Sequence, residues 1–303
     1  MRRITIDCLT LLVGGTRLER EQQMDTFQSA SDFITAVIQD IREGGNGAFL
    51  TRLRTVPCFA LSEVQSIGGK PETEQLLSDL LMDRQRRRLL TVLGMAYIPL
   101  FIKRLYPIPC GPIPAKICLL ERDLQKCKFL ELYFDSAPEV EIICDDFQHF
   151  MKTHQVQCVV SPANAFGLMD GGYDLAITEW FGDQLQKRVQ QYIIHHFYGE
   201  QPVGTSFLLE AGRDGQSLIH TPTMRTPQRI LDARVIYQCM RTTLMCAAEH
   251  AVESIVIPMF GGATGGVRPH LAADMMWRAY AQLKNPPERL DWAYAAEVEI
   301  DLP

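Results

Sequence analysis

Residues 161–177, SPANAFGLMDGGYDLAI, carry more polar and flexible positions than a turn or a helix start requires. The carboxylates of Asp170 and Asp174 could exchange protons in a reaction. Glycines at positions 171 and 172 would let a ligand approach the backbone closely. A helical pattern follows, and the N–H groups at a helix N-terminus favour a phosphate. The segment therefore predicts an anion-binding site with catalytic potential.

A second glycine-rich loop, Gly261, Gly262, Ala263, Thr264, Gly265 and Gly266, follows the apolar run SIVIPMF. It lacks the lysine of a P-loop, and it lacks the spacing and the position of a dinucleotide fingerprint. If both loops end neighbouring strands, they could hold a diphosphate from two sides.

The elements that must position these loops alternate between strand and helix patterns after about residue 116. We predict strands at KFLELYF, VEIICDD, QCVV, TSFLLEA, SLIHTPTM and SIVIPMF, and helices at DLAITEWFGDQLQKRVQQYIIHHF, ARVIYQCMRTTLMCAAEHA and HLAADMMWRAYAQLK. This alternation predicts an α/β domain with a largely parallel sheet. In such domains, ligands bind beyond the carboxyl ends of the strands.

The first part of the chain is predicted to be mostly helical. Apolar spacing favours helices over DTFQSASDFITAVIQDI and PETEQLLSDLLMDRQRRR. The apolar run at 89–102 is interpreted as a buried core helix that is kinked or ends near Pro99, since a membrane span needs about 18 to 20 residues. The proline-rich segment 106–116 is the predicted linker. We therefore expect a helical N-terminal region, 1–115, and an α/β domain, 116–303.

The two loops together resemble the signature of the macrodomain family, N-A-A-N followed by a glycine loop and V-D-G-A-I. The later PMFGGATGG resembles the family's second phosphate loop, and EIICDDF resembles the strand end that carries an adenine-binding aspartate. The resemblance covers about residues 128–285. The positions that match the first signature are Ala163, Asn164, Gly171, Gly172, Asp174, Ala176 and Ile177.

The resemblance implies a three-layer α/β/α sandwich with a mixed, largely parallel sheet. It also implies an ADP-ribosyl hydrolase that binds ADP-ribose, needs no cofactor and removes mono-ADP-ribose from a modified protein. Asp174 would activate water, Asp170 would act as a second carboxylate, and Asn164 would bind the distal ribose. The implied ligand-binding residues are Asp146 (or Asp145), Phe147, Ala163, Gly171, Gly172, Tyr173, Gly261, Gly262, Ala263, Thr264, Gly265 and Gly266.

The chain departs from the family pattern at several positions. Ser161-Pro162 replaces the first Asn-Ala, and Met169-Asp170 stands where glycine is usual. The tandem glutamates of poly(ADP-ribose) glycohydrolases are missing, which argues against degradation of ADP-ribose chains.

Simpler interpretations of the same residues stay open. Asp174 could be a helix cap, Asp170 a turn residue, and Asn164 an amide that ties the loop together. The protein could then be a non-catalytic ADP-ribose reader, or an interaction protein that uses its N-terminal region.

Composition limits the function classes. The net charge of −6 over 303 residues argues against nucleic-acid binding as the main role, and we expect no membrane partner. Nine cysteines without a C-x-x-C pair predict a reducing compartment and no metal site. We therefore expect a cytoplasmic location. Resemblance to larger bacterial effector-type and phage-type macrodomain proteins adds the host cytosol, with a host protein such as ubiquitin as a candidate target.

Overall fold

The computed structural model describes residues 2–6, 9–13, 20–24, 28–42, 48–56, 58–67, 71–95, 102, 105, 112–212, 215–287 and 289–299. By the proximity of its Cα atoms the chain divides into two compact units. The N-terminal unit comprises Met1–Gly111 and Glu249–Ala251, and the C-terminal unit comprises Pro112–Ala248 and Val252–Pro303. Within the described residues, no helix combines the length and the apolar character needed to cross a bilayer.

The N-terminal unit contains a five-stranded sheet, which the prediction of a mostly helical region did not include. The sheet order is β1-β2-β5-β4-β3, with β1 antiparallel to β2 and the other pairs parallel. The strands are β1 (Arg2–Ile6), β2 (Leu9–Val13), β3 (Gln28–Ser29), β4 (Cys58–Ser62) and β5 (Leu90–Met95).

The apolar run that begins at residue 89 was predicted as a buried helix, but its first half forms strand β5 between β2 and β4. A parallel strand buried on both faces is a continuous apolar run, and periodicity cannot separate it from a buried helix. Pro99 lies outside the described residues.

Helices cover this sheet, and the first and third of them lie where the apolar spacing predicted helices. They are α1 (Ala30–Arg42), α2 (Ala48–Leu53) and α3 (Pro71–Arg86), with a 3-10 turn at Val64–Ile67. Phe33 of α1 and Leu77 of α3 are fully buried in a core with Leu61 and Leu93 of the sheet. These two predicted helices are confirmed.

Arg84, near the end of α3, is fully buried. Its guanidinium donates to the carbonyl oxygens of Leu53 at 2.5 Å, Val56 at 2.9 Å and Leu90 at 2.6 Å. These bonds join α3 to the end of α2 and to the start of β5. A buried charge of this kind is tolerated because its donors are satisfied.

The C-terminal unit is built on a six-stranded sheet of order β7-β6-β11-β8-β10-β9, in which only the β10–β9 pair is antiparallel. Its strands are β6 (Lys116–Glu121), β7 (Val140–Cys144), β8 (Cys158–Ser161), β9 (Phe207–Glu210), β10 (Ser217–His220) and β11 (Ser254–Pro258). The parallel-dominated sheet with flanking helices confirms the predicted α/β/α sandwich.

The helices of this unit are α4 (Leu124–Phe134), α5 (Phe147–Thr153), α6 (Gly172–Phe181), α7 (Gln184–Phe197), α8 (Arg234–Glu249), α9 (Pro269–Lys284) and α10 (Trp292–Glu297). The stretch KFLELYF, predicted as a strand, lies in α4. Asp123 caps this helix by accepting from the N–H groups of Gln125 and Lys126, and Cys127, Leu130 and Phe134 are buried at helical spacing. The first strand of the sheet is KICLLE, which the sequence pattern did not reveal.

The buried guanidinium of Arg84 gives the first test. We expect Arg84→Ala to destabilise the N-terminal unit by about 3 kcal/mol or more, because the substitution removes the hydrogen-bond donor of three carbonyl oxygens and opens a cavity. Hydrogen exchange of peptides from residues 71–95, together with urea denaturation, would measure the loss. The control Arg87→Ala removes only an exposed pair with Asp83 and should cost less than about 1 kcal/mol. Equal effects of the two variants would contradict a structural role for Arg84.

Candidate functional site

A cleft of about 560 Å³ lies at the carboxyl ends of the parallel strands in the C-terminal unit. Residues that follow β6, β7, β8, β10 and β11 line it. Of the predicted site residues, the lining includes Asp146, Phe147, Ala163, Asn164, Asp170, Gly171, Gly172, Tyr173, Asp174, Gly261, Ala263, Thr264 and Gly265. Gly262 and Gly266 lie in the same loop but do not line the cleft.

The first loop joins the end of β8 to the start of α6. Its backbone is fastened to the segment after β10, because the N–H of Thr223 donates to the carbonyl of Ala163 and that of Ala165 donates to Met224. The hydroxyl of Thr223 also donates to the carbonyl of Pro162 at 2.9 Å. The loop is therefore held in place before any ligand arrives.

Asn164 holds the same loop from within. Its Oδ1 accepts from the N–H groups of Phe166 at 3.1 Å and Leu168 at 3.3 Å, and its Nδ2 donates to the carbonyl of Leu168 at 2.7 Å. The side chain is buried. This is the tying role that the sequence left open as the simpler interpretation. One amide hydrogen of Nδ2 is left for a ligand, because the group carries two donors.

Gly171 and Gly172 bring the loop to the N-terminus of α6. Gly171 is the N-cap, so no side chain caps the helix. Among the described residues, no hydrogen bond uses the N–H groups of Gly172 or Tyr173. A Cβ atom at Gly171 would meet no atom within 4 Å, and its φ of −148° is open to any residue. Packing and backbone strain therefore do not explain the glycine, whereas an anion at the helix end does.

Asp174 lies in the first turn of α6 and is only partly exposed. Its Oδ1 accepts a hydrogen bond of 2.6 Å from the hydroxyl of Ser161, at the end of β8. It does not cap the helix, since Gly171 holds the N-cap position. Burial raises the pKa of Asp174 to about 7, and the bond from Ser161 opposes this rise. A carboxylate with such a pKa suits proton transfer near neutral pH.

Asp170 stands in the cleft wall and is exposed. Within the described residues, its side chain makes no hydrogen bond or ion pair. A turn aspartate usually bonds to its own loop backbone, and this one does not. Its carboxylate is therefore free to face a ligand.

The second loop follows β11, which is the neighbour of β8 in the sheet. Gly261 has a φ of +72°, and a Cβ atom there would lie 2.6 Å from Ile236 Cδ1. A Cβ atom at Gly265 would lie 2.7 Å from Ile230 Cδ1. These glycines are needed by packing, unlike Gly171. In the described structure the N–H groups of Ala263, Thr264 and Gly265 make no hydrogen bond, so three donors remain for a ligand.

The end of β7 supplies the far wall of the cleft. Asp146 caps α5 by accepting from the N–H of His149, while Asp145 bonds the ring of His149 and accepts from the N–H of Asp146. The bond from His149 lowers the pKa of Asp145. Asp146 is exposed and keeps a second carboxylate oxygen, which supports its choice over Asp145. The ring of Phe147 packs edge-on against that of Tyr173, with centroids 5.1 Å apart.

The sequence did not reveal several cleft residues, because they follow the unrecognised strand β6. Glu121, Arg122 and Lys126 belong to this group. The Nζ of Lys126 donates to the carbonyl of Gly262 at 2.9 Å and lies 3.7 Å from Glu121. Lys126 thus anchors the second loop and places a positive charge at the cleft. Among the described residues, no cluster of histidine, cysteine or carboxylate side chains has the geometry to hold a metal ion.

Comparison with known proteins shows a partial similarity to one family. Residues 160–276 match the family model described as "Macro domain". This segment contains the first loop, Asp174 and the second loop. Over these residues the α/β unit is similar to a macrodomain.

Two curated relatives match a similar share of the chain. An uncharacterized protein of Aquifex aeolicus is 29% identical over 119 residues, which are 39% of this chain and 68% of that protein. An uncharacterized protein of Aeropyrum pernix is 25% identical over 114 residues, which are 37% of this chain and 57% of that protein.

Solved structures with a similar fold include an Oceanobacillus iheyensis macrodomain variant with ADPR. It is 23% identical, covers 44% of this chain and 73% of its own, and has a TM-score of 0.39. DarTG of Thermosipho africanus, in complex with ADP-ribose, is 14% identical, covers 70% of this chain and 49% of its own, and has a TM-score of 0.39.

The contrast between two glycines of the first loop can be measured by placing serine at each position in turn. Gly167 has a φ of +63°, and a Cβ atom there would lie 2.7 Å from Val189 and 2.9 Å from Ile193. We expect Gly167→Ser to cost about 1–3 kcal/mol of unfolding free energy. Gly171→Ser should cost nothing or stabilise by about 0.5–1 kcal/mol, because serine caps helices well. Urea denaturation measures both, and a large loss in Gly171→Ser would mean that Gly171 serves the fold rather than a ligand.

Proposed function

We propose that the cleft binds ADP-ribose and that the protein removes mono-ADP-ribose from a modified protein by hydrolysing the glycosidic bond. One observation carries this proposal. Two loops at adjacent strand ends present unpaired backbone N–H groups to the same cleft, and a partly buried aspartate with a pKa near 7 stands beside them. The match of residues 160–276 to the Macro domain model supports it, since macrodomains bind ADP-ribose and many of them hydrolyse its bond to a side chain.

The diphosphate is the part of the ligand that these loops suit best. The N–H groups of Gly172 and Tyr173 lie at the positive end of the α6 dipole, and those of Ala263, Thr264 and Gly265 belong to the opposite loop. Hydrogen bonds from such groups to a charged oxygen are stronger than neutral ones. Adenine would lie toward Phe147, where the free oxygen of Asp146 can accept from its amino group.

This placement leaves the distal ribose beside the first loop. Asp174 would take a proton from a water molecule. As it does so, the oxygen of that water would bond to the anomeric carbon, and the bond between the anomeric carbon and the protein side chain would break. The proton taken up by Asp174 balances the one that the leaving side chain requires. Asp170 would stabilise the positive charge that develops on the ribose, as carboxylates do in glycosidases. The remaining hydrogen of Asn164 Nδ2 would donate to a ribose hydroxyl.

A non-catalytic reader is the second candidate function. It is favoured by Asn164, whose amide makes three hydrogen bonds within its own loop and has little freedom to follow a reacting sugar. A reader would bind ADP-ribose through the same N–H groups without turnover.

Ligand binding can be tested at the helix end. We expect Gly171→Ser to weaken ADP-ribose binding by about 10-fold or more, because the serine hydroxyl would take the N–H groups meant for phosphate, and a hydrogen bond to a charged group is worth about 1.5–3 kcal/mol. Isothermal titration calorimetry measures the change. Leu175→Ala is the control, since Leu175 lies on the same helix, is exposed and does not line the cleft. Wild-type affinity in Gly171→Ser would contradict the proposed phosphate position.

Hydrolysis should depend on the ionised form of Asp174. We expect release of ADP-ribose from a mono-ADP-ribosylated protein to fall as the pH drops through about 7, since burial raises the pKa of Asp174 to that value. Asp174→Asn should lower the rate at pH 8 by about 100-fold or more, the scale of general base catalysis. Asp170→Ala should lower it less.

Stability provides the control for this experiment. The folded-state pKa of Asp174 exceeds the unfolded value of about 3.9, so its burial costs stability as pH rises from about 4 toward 7. Asp174→Asn should therefore be at least as stable as the wild type at pH 8. Equal release rates in the wild type and both variants would refute the mechanism. Tight binding of ADP-ribose without any release would support the non-catalytic reader instead.

A further inference from the structure

Ser161 and Asp174 join the two ends of the first loop. Ser161 is the last residue of β8 and is fully buried, whereas Asp174 lies in the first turn of α6. Their hydrogen bond of 2.6 Å closes a segment that contains Asn164, Asp170 and Gly171. The position of the carboxylate relative to the loop therefore depends on this contact.

The sheet fixes the donor of this bond. The carbonyl of Ser161 accepts from the N–H of Thr221 at 2.9 Å, and Ser161 pairs in register with His220 on the parallel strand β10. A serine side chain has only one torsion between heavy atoms, χ1, so a single rotamer fixes the position of its hydroxyl oxygen. The hydroxyl therefore points at Asp174 from a rigid support.

Other titratable groups near Asp174 do not take over the role of the Ser161 hydroxyl as its hydrogen-bond donor. From β10, His220 has a pKa lowered to about 3 by burial and is neutral in the working range. From α6 itself, burial raises the pKa of Tyr173 well above its usual value, so its hydroxyl stays neutral. The other ionisable groups of the cleft are Asp170 in the loop, Glu121, Arg122 and Lys126 after β6, and Asp145 and Asp146 after β7. In the described structure, none of them bonds the Asp174 carboxylate.

We propose that Ser161 is a positioning residue, which holds the Asp174 carboxylate in one orientation and in its ionised form. A hydroxyl that donates to a carboxylate stabilises the charged form, and here it acts against the desolvation of a partly buried group. The macrodomain signature that this loop resembles has asparagine where this chain has Ser161. The catalytic meaning of the proposal rests on the proposed function, whereas the effect of Ser161 on the ionisation of Asp174 does not.

The direct test is a titration of the Asp174 carboxyl group by NMR of the full chain with ¹³C-labelled aspartate, assigned by comparison with Asp174→Asn. We expect Ser161→Ala to raise the pKa of Asp174 by about 1–2 pH units, the equivalent of one hydrogen bond to a charged group. Ser161→Thr keeps the hydroxyl and should restore a value near that of the wild type. Ser161→Cys, with a weaker donor of similar size, should lie between them and remains informative if the alanine variant does not fold.

Kinetics give the second readout. In Ser161→Ala the acid limb of kcat for ADP-ribose release should move to higher pH by the same 1–2 units, while KM changes little, because the serine does not line the cleft. If the wild type releases no ADP-ribose, the proposed function fails and the NMR titration still decides the role of Ser161. An Asp174 titration that is the same in the wild type, Ser161→Ala and Ser161→Cys would overturn the proposal.

Discussion

Parallel pairing between β8 and β11 is the constraint on which the site depends. Because Val159 lies opposite Val256 in register, both strands end at the same edge of the sheet, and the two glycine loops that follow them face the same cleft. The pairing of β8 with β10 holds the other side of the first loop. Strand order therefore brings together segments that stand about a hundred residues apart in the sequence.

This arrangement works because some polar groups stay unpaired. The N–H groups at the start of α6 and those of residues 263–265 have no partner in the described structure, and Asp174 is held where burial disfavours its charge. The unpaired N–H groups and the partly buried carboxylate each lower the free energy of unfolding. The surroundings offset the cost by fixing the backbone: Asn164 ties the first loop, Ile230 packs over Gly265, and Lys126 holds the carbonyl of Gly262. A rigid frame around free donors is what pre-organised binding requires.

Glycine residues serve different purposes in the two loops. In the second loop, Gly261 and Gly265 are required by packing against Ile236 and Ile230. In the first loop, Gly171 has open space around it and an ordinary backbone conformation. Only the structure separates a glycine that the fold needs from one that leaves room for a ligand.

The sequence predicted the cleft well and the N-terminal unit poorly, for physical reasons. Strand–turn–helix patterns with glycines and aspartates mark strand ends locally, and Asp174, Gly171 and most of the second loop line the cleft. β5 was mistaken for a helix because a fully buried parallel strand has no alternation. KFLELYF was mistaken for a strand because its aromatic residues favour strands, whereas the cap at Asp123 places it in a helix. The internal bonds of Asn164 and the donor Ser161 depend on tertiary geometry, which spacing alone does not contain.

The most direct test of this account is a crystal structure of the protein with ADP-ribose bound. We expect the diphosphate on the N–H groups of residues 172–173 and 263–265, adenine beside Phe147, and the anomeric carbon of the distal ribose next to Asp174. A ligand bound outside the cleft, or one whose distal ribose lies at Asp146 with adenine at Asp174, would contradict it.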